Sequence, residues 1–361
     1  MKEKKEIQDE VLKVITPLKR AGVGVSVGVG KTLIGLKHMA AEYNDFTKFL
    51  IVAPKKSIFQ TWKDEAVKFK LDHLIPQMKF STYLSMKKQD LDYDVVYLDE
   101  CHNLKENHAD WLAMHPGKII GLTGTPPKSK YSEHHKMVEM FCPIVCEYLT
   151  DDAIDDEILN DYRIVVHYTD LSRALDIPVK KVGKPTWFTS EVKTYTYWSE
   201  RLANGDNAQI CRIMRMKALQ GFRSKEKLVN NILTRIQDDA IKTIVFANTK
   251  DQADRLCIHR YHTGDVNSEK AFEAFKKGKI NTLSCVQQLS EGINIPGLKE
   301  SIIMHSYGSS SPKFHQRLGR TLRLNPNEVC TVHVLCYRNT VDEDWVRDSL
   351  KGLDQTKIKH K

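Results

Sequence analysis

Short unbroken apolar runs constrain this chain most. Phe49–Ala53 (FLIVA), Val95–Leu98 (VVYL) and Ile119–Leu122 (IIGL) are too brief for core helices and show no alternation. A strand with one wet face alternates, so such runs must be covered on both faces, as in parallel sheets. Between them, Leu33–Tyr43 and Ser57–Phe69 carry helical spacing. Strand and helix in alternation predict an α/β fold with a parallel sheet. The same grammar returns after residue 240, in Thr243–Ala247 (TIVFA), Thr282–Val286, Ser301–His305 and Thr331–Cys336. A single core stops growing at roughly 250 to 300 residues, and this chain has 361. Two domains with a cleft between them are therefore expected. An acidic stretch, Asp151–Glu157 (DDAIDDE), precedes a strand-like run at Tyr162–Tyr168, which sets the expected domains at 1–155 and 156–361. Within the second, Ser190–Arg235 is polar, basic and helical in pattern, a helical insertion at about 190–235.

Composition removes several classes. With 41% hydrophobic and 28% charged residues the chain is neither disordered nor fibrous. No apolar stretch reaches the roughly 18 residues of a membrane span, and a charged N-terminus argues against a signal peptide, so a cytoplasmic protein of a bacterium or a virus-infected host cell is expected. Eight cysteines scattered through hydrophobic segments read as reduced, buried thiols. His134, His135, Cys142 and Cys146 form the one local set that zinc could use, but a CxxxC pair without a second pair points to core instead. Charge is uneven: residues 1–165 hold 23 Lys/Arg against 25 Asp/Glu, and residues 166–361 hold 32 against 21. A polyanion contacted mainly through the second half would explain that asymmetry, and so would a solvated basic surface.

Gly28-Val29-Gly30-Lys31-Thr32 follows a strand-like segment and precedes a helical one, the context of a phosphate-binding loop. Glycines let backbone N–H groups turn around phosphate oxygens, Lys31 can reach the terminal phosphates, and the Thr32 hydroxyl can ligate magnesium. The GxxxxGKT spacing is not met, because position 25 is Val; the shorter GxGKT form is. Sixty-eight residues after Lys31, an apolar strand ends in Asp99-Glu100. Carboxylates at that edge suit Asp99 to magnesium and Glu100 to orienting or deprotonating an attacking water. Leu122-Thr123-Gly124-Thr125-Pro126 ends the next strand with the hydroxyls of Thr123 and Thr125. In the second half, Gln316, Arg320 and Arg323 stand at i, i+4 and i+7 of a helical segment and share a face that suits a polyphosphate.

In chain order, VSVGVGKT, IVAPKKSIFQTW, LDECH, LTGTP, IVFANT, QQLSEGINIP and QRLGRTLR resemble motifs I, Ia, II, III, IV, V and VI of superfamily 2 helicases. The resemblance runs from about Gln8 to Asp344, and details such as DECH, TGTP and TVDEDW are similar to Swi/Snf-like members and to compact helicases of bacterial viruses. It implies two tandem RecA-like parallel-sheet domains with an interdomain ATP cleft, and Mg2+ with the ATP. It implies that Gln8 reads adenine, that Arg320 and Arg323 are arginine fingers, and that Thr123, Thr125, Gly292 and Asn294 couple nucleotide to strand. Asn294 stands where many members carry Asp. Pro54, Lys55, Thr82, Tyr83, Thr249, Gln287 and Ser290 match positions that hold a sugar-phosphate backbone without reading bases. The expected activity is an ATP-dependent helicase or translocase acting on DNA forks, junctions or R-loops, as a monomer. Two alternatives stay open: an RNA helicase, and an ATP-gated nucleic-acid clamp without motor activity.

Overall fold

The computed structural model describes residues 2–361 except 27, 128, 181, 182, 184, 238, 239, 287–294, 308–312, 323–327 and 352; at 237, 313, 315, 316 and 320 it describes the backbone alone. Two compact units emerge, one of Met1–Asp161 together with the helix at Lys313–Thr321, the other built mainly of Tyr162–Ser290 and Val329–Lys361. No described helix is long and apolar enough to cross a membrane.

The first unit runs α1 (Lys4–Ile15), β1 (Arg20–Val25), α2 (Lys31–Glu42), β2 (Phe49–Ala53), α3 (Ser57–Lys68), β3 (Met78–Thr82), β4 (Val95–Asp99), α4 (Ala109–Met114), β5 (Lys118–Thr123), α5 (Glu133–Phe141), β6 (Ile144–Tyr148) and α6 (Thr150–Asp155). Its sheet has the order β3-β2-β4-β5-β1-β6, and every neighbouring pair is parallel. The unbroken apolar runs behave as their composition demands: β2 and β4 are buried at every residue. Leu50, Val52, Val96, Leu98 and Ile119 pack on one side with Trp111, Leu112, Val138 and Phe141. Register then fixes the working edge. Gly24 lies level with Thr123, and Asp99 with Leu122, so the ends of β1, β4 and β5 meet on one side of the sheet.

The second unit contains β7 (Asp161–Thr169), the short antiparallel pair β8 (Ile177–Val179) and β9 (Trp187–Thr189), then α7 (Glu191–Ala203), α8 (Ala208–Gly221), α9 (Ser224–Gln237), β10 (Thr243–Ala247), α10 (Lys250–Leu256), β11 (Arg260–Tyr261), α11 (Ser268–Lys276), β12 (Thr282–Val286) and β13 (Glu300–Ile303). α12 (Lys313–Thr321) intervenes before β14 (Val329–Tyr337), α13 (Val341–Leu350) and β15 (Ile358–His360). The sheet order is β11-β12-β10-β13-β14-β7-β15, with the pairs from β11 to β14 parallel. The segment expected as one helical insertion divides in two. Val229, Ile232, Leu233 and Ile236 of α9 pack on Val245, Ile302 and Leu335 of the sheet, so α9 is a covering helix of the fold itself. Helices α7 and α8 remain as the added part.

Candidate nucleotide site

Between β1 and α2 the backbone adopts the left-handed region at both glycines, with φ of 102° at Gly28 and 103° at Gly30. A Cβ at Gly30 would come within 2.9 Å of Gln8 Nε2, and the positive φ itself disfavours any larger residue there. Gly30 is the N-cap of α2, and among the described residues no side chain caps that helix. Its first N–H groups thus have no partner within the helix, which leaves them and the positive end of the helix dipole for an anion. Gln8, 5% exposed, reaches this loop from α1 and donates from Nε2 to the Val29 carbonyl at 2.8 Å.

Lys31, the first residue of α2, places Nζ 2.5 Å from Glu100 Oε1. Motif I and motif II are therefore joined directly, by an ion pair whose side chains are 13% and 15% exposed. Glu100 itself has φ 51° and ψ 55°, a conformation uncommon for a residue with a Cβ. Such backbone persists where the surroundings over-determine it, and here they do. The Glu100 carbonyl accepts from Asn103 Nδ2 at 3.0 Å, and Glu100 Oε2 lies 3.4 Å from His102 Nδ1 and 3.5 Å from the Thr123 hydroxyl.

Proton positions around His102 follow from its partners. Asn103 Nδ2 donates to the Glu100 carbonyl, which fixes the amide orientation, and the same nitrogen lies 3.2 Å from His102 Nε2. Nε2 must then accept, so the ring carries its hydrogen on Nδ1, which donates to Thr123 Oγ1 at 2.8 Å. Burial pushes the His102 pKa down to about 4 despite the Glu100 carboxylate beside it, so the ring is neutral at physiological pH. Thr125 closes the set: its N–H donates to Thr123 Oγ1 at 3.1 Å, and its hydroxyl lies 3.3 Å from His102 Nδ1.

Asp99 sits deeper, at 7% exposure, with Oδ2 accepting from Trp62 Nε1 at 2.9 Å and its carbonyl accepting from the Tyr83 hydroxyl at 2.9 Å. Burial and the neighbouring Glu100 push its carboxyl up to about 6, opposed by Lys31 and the Trp62 hydrogen bond. Trp62 was not among the residues expected at the site, although it closes the IVAPKKSIFQTW segment. A buried indole needs a partner for its N–H, and that requirement was the available signal. Tyr83, expected along the nucleic-acid strand, is instead enclosed at 7% exposure beneath Asp99.

The remaining expectations sort by location. Pro54 is half-buried and Lys55 exposed just past β2, and Thr82 ends β3 half-buried with its hydroxyl 3.4 Å from Ser85 Oγ. The Thr249 hydroxyl caps α10, accepting from Gln252 N at 3.2 Å. α12 carries positions 316 and 320 and ends at Thr321. The side chains of Gln316 and Arg320, and all of Gln287, Ser290, Gly292, Asn294 and Arg323, lie outside the described residues. Among the described residues no group of three or more His, Cys, Asp or Glu could hold a metal ion. Of the four residues that zinc could use, His134 and His135 donate from Nδ1 to the carbonyls of Leu104 and Pro127. All eight cysteines are free thiols.

Residues 2–128 match the family described as type III restriction enzyme, res subunit, and residues 224–325 match the helicase conserved C-terminal domain. The chain is 22% identical, over 92% of its length, to a protein of Haloarcula marismortui assigned as the DNA 3'-5' helicase Rad25, and spans about half (52%) of that relative. It is also 22% identical to the DNA 3'-5' translocase XPB2 of Sulfurisphaera tokodaii, over 93% of this chain and 82% of the other. Among solved structures, the Hef helicase domain of Pyrococcus furiosus superposes with a TM-score of 0.53 at 17% identity, covering 96% of this chain and 98% of the other. The type ISP restriction-modification enzyme LlaBIII bound to DNA gives 0.62 at 15% identity, covering all of this chain and 31% of the other.

Proposed function

We propose, from the premise that the chain belongs to the superfamily 2 helicases, that it couples ATP hydrolysis to movement along DNA. The observation that carries this reading is the Lys31–Glu100 pair at the mouth of an uncapped, glycine-hinged helix. Lys31 opens α2, so its cation stands at the helix N-terminus, where a phosphate is favoured. When it turns to the phosphates, Glu100 Oε1 is released to take the proton of an attacking water. Meanwhile Oε2 keeps the Thr123 hydroxyl, and His102 holds that hydroxyl in place. Thr123 and Thr125 thus sense whether Glu100 is engaged with Lys31.

The donor set fits magnesium: Asp99 and the Thr32 hydroxyl are hard oxygen donors at one sheet edge, of the kind that ion prefers. Bound there, Mg2+ would neutralise the charge that builds on the phosphates. Gln8, already fixed on the loop, is the residue assigned to adenine. The assignment of Gln316, Arg320 and Arg323 to the phosphates, of Gly292 and Asn294 to coupling, and of Pro54, Lys55, Thr82, Thr249, Gln287 and Ser290 to the strand rests on the motif resemblance. So do the domain limits of 1–155 and 156–361. DNA as the substrate is supported by the Rad25 and XPB2 relatives, both described as acting 3' to 5' on DNA.

The test is turnover with and without single-stranded or duplex DNA. Glu100→Gln should leave nucleotide binding intact and lower DNA-stimulated hydrolysis by about 10² to 10⁴, the range for losing a general base. Lys31→Ala should weaken nucleotide binding as well. Folded variants that hydrolyse ATP at the wild-type rate would remove this reading. Nucleotide-dependent DNA binding by the wild type without strand-stimulated turnover would replace it with the clamp.

A further inference from the structure

Asn103 makes contacts around motif II that go beyond packing. After Glu100 the chain forms a 3-10 turn, Cys101–Asn103. Its last residue folds back: the Asn103 N–H donates to the Glu100 carbonyl at 2.9 Å, and Nδ2 donates to the same oxygen at 3.0 Å. A carbonyl can only accept, so the NH2 end of the amide lies on this side and not the oxygen. The second hydrogen of that NH2 group is left for His102 Nε2, 3.2 Å away. An aspartate at 103 would have the same shape and would meet both atoms with oxygen.

The His102 ring is buried and neutral, so it carries a single hydrogen. With Nε2 accepting from Asn103, that hydrogen is on Nδ1, where three oxygens lie close: Thr123 Oγ1 at 2.8 Å, Thr125 Oγ1 at 3.3 Å and Glu100 Oε2 at 3.4 Å. Thr123 is fully buried and accepts both from this N–H and from Thr125 N at 3.1 Å. A hydroxyl has two lone pairs. Both are occupied, so its own hydrogen goes to the acceptor beside it, Glu100 Oε2 at 3.5 Å. Two hydrogens therefore bear on Oε2, while Oε1 holds Lys31.

The other tautomer reverses this arrangement. A bare Nδ1 would turn a lone pair toward Oε2, and it would draw the Thr123 hydrogen, because the Thr123 oxygen lies 2.8 Å from Nδ1 and 3.5 Å from the carboxylate. Oε2 would then lose both hydrogens at once. When Lys31 leaves for the phosphates, neither His102 nor Thr123 would hold the carboxylate in place. Nucleotide binding would change little, since Lys31 and the first N–H groups of α2 take no part in the exchange. The defect would fall on the chemical step.

We propose that Asn103 is a positioning residue for Glu100: by donating to His102 Nε2 it keeps the hydrogens of His102 Nδ1 and Thr123 on Oε2, so that Oε1 is the oxygen presented to the attacking water. This inference deepens the motor reading above and rests on it, because it takes Glu100 as the base. Asn103 also braces the left-handed backbone of Glu100 through its two bonds to the carbonyl. That bracing would act whatever the state of the His102 ring, which gives the experiment something to separate.

The experiment compares the full chain with Asn103→Asp, Thr123→Val and the double variant, each checked for folding by thermal melting. In protein carrying 15N-labelled histidine, the His102 signals are identified by their loss in His102→Gln. The wild type is expected to show its hydrogen on Nδ1, and Asn103→Asp to show it on Nε2. DNA-stimulated kcat should fall about tenfold in Asn103→Asp, the size of losing one hydrogen bond to a charged group, with the ATP concentration for half-maximal rate unchanged. Made in Thr123→Val, the same change should cost little further, because the hydroxyl through which it acts is gone. A wild-type ring with its hydrogen on Nε2 overturns the proposal, even where Asn103→Asp does not fold. So does an Nδ1 hydrogen kept in Asn103→Asp, or wild-type kcat in that variant. A loss of kcat as large without the Thr123 hydroxyl as with it also overturns the proposal and leaves Asn103 as a brace of the backbone alone. Each of these outcomes leaves the motor reading standing so long as Glu100→Gln is slow. Wild-type hydrolysis by Glu100→Gln removes the base, and both readings fall with it.

Discussion

Trp62 shows how much one side chain outside the expected set contributes. Its ring is fully buried, 5.9 Å from the Tyr97 ring, and its N–H is the donor that favours ionised Asp99. Trp62→Phe keeps most of the packing and removes that donor. Hydrogen bonds to charged groups contribute about 1.5–3 kcal/mol, so the variant should melt lower by a comparable amount. If Asp99 holds magnesium, it should also need several-fold more Mg2+ for half-maximal ATP hydrolysis. A lower melting point with an unchanged Mg2+ requirement would make the indole a packing residue only. That Lys31, Asp99 and Glu100 gather at the end of one strand was legible in the sequence, because their residue types and spacing point to one sheet edge. The places of Trp62 and Asn103 were not, nor was the burial of Tyr83 beneath Asp99. Their contribution depends on how α3 and the segment after β3 settle against the end of β4, and no local pattern encodes that register.

At the scale of elements, legibility followed burial. The unbroken runs of β2, β4, β5 and β10 announced themselves, whereas β3 (MKFST) at the sheet edge is buried only at Met78 and Ser81 and carries a weaker signal. α9 looked like part of a basic insertion because its polar face dominates the composition, yet its apolar face covers the sheet. Its first turn also carries a cation that composition would place in water. Lys225 is fully buried, with Nζ 2.5 Å from Asp342 Oδ2 and 2.9 Å from the Met304 carbonyl, and 4.6 Å from the Tyr337 ring centroid. Asp342, at the start of α13, also accepts from Tyr337 N at 2.9 Å. One ion pair thus clamps α9, the end of β13 and the β14–α13 turn. Removing one partner leaves a buried charge uncompensated, so Lys225→Met or Asp342→Asn should each cost about 3–5 kcal/mol. The apolar double variant Lys225→Met/Asp342→Leu should recover most of that. Thermal melting of the three proteins decides it: equal losses in single and double variants would show that the clamp acts by more than charge pairing.

Across the whole molecule, the uneven charge seen in the sequence acquires two distinct meanings. Much of the positive excess of the second half lies in residues 171–223, with ten Lys/Arg against four Asp/Glu, and one lysine of that half is a structural ion rather than a surface charge. Histidine, the group whose charge changes nearest neutrality, marks where acid acts. Burial pushes His38 and His102 in the first unit, and His167 in the second, down to about 4. His38 is the cleanest case, fully buried on α2 with Nδ1 2.8 Å from the Tyr97 hydroxyl. Glu42 lies 4.0 Å from its Nε2, but that carboxylate is already paired with Lys118 at 2.5 Å and offers the ring little help in charging. The folded state therefore binds the proton more weakly than the unfolded chain does. Its stabilising contribution is complete above the ordinary histidine pKa of 6.5 and is lost as pH falls from there to about 4. At roughly 1.4 kcal/mol per pKa unit, the loss at His38 approaches 3 kcal/mol. His38→Gln, which can still meet the Tyr97 hydroxyl, should lose less stability than the wild type between pH 7 and pH 4. Hydrogen exchange at the amides of α2 and β4 across that range measures it, and parallel pH profiles in the two proteins would show that His38 is not the group that titrates.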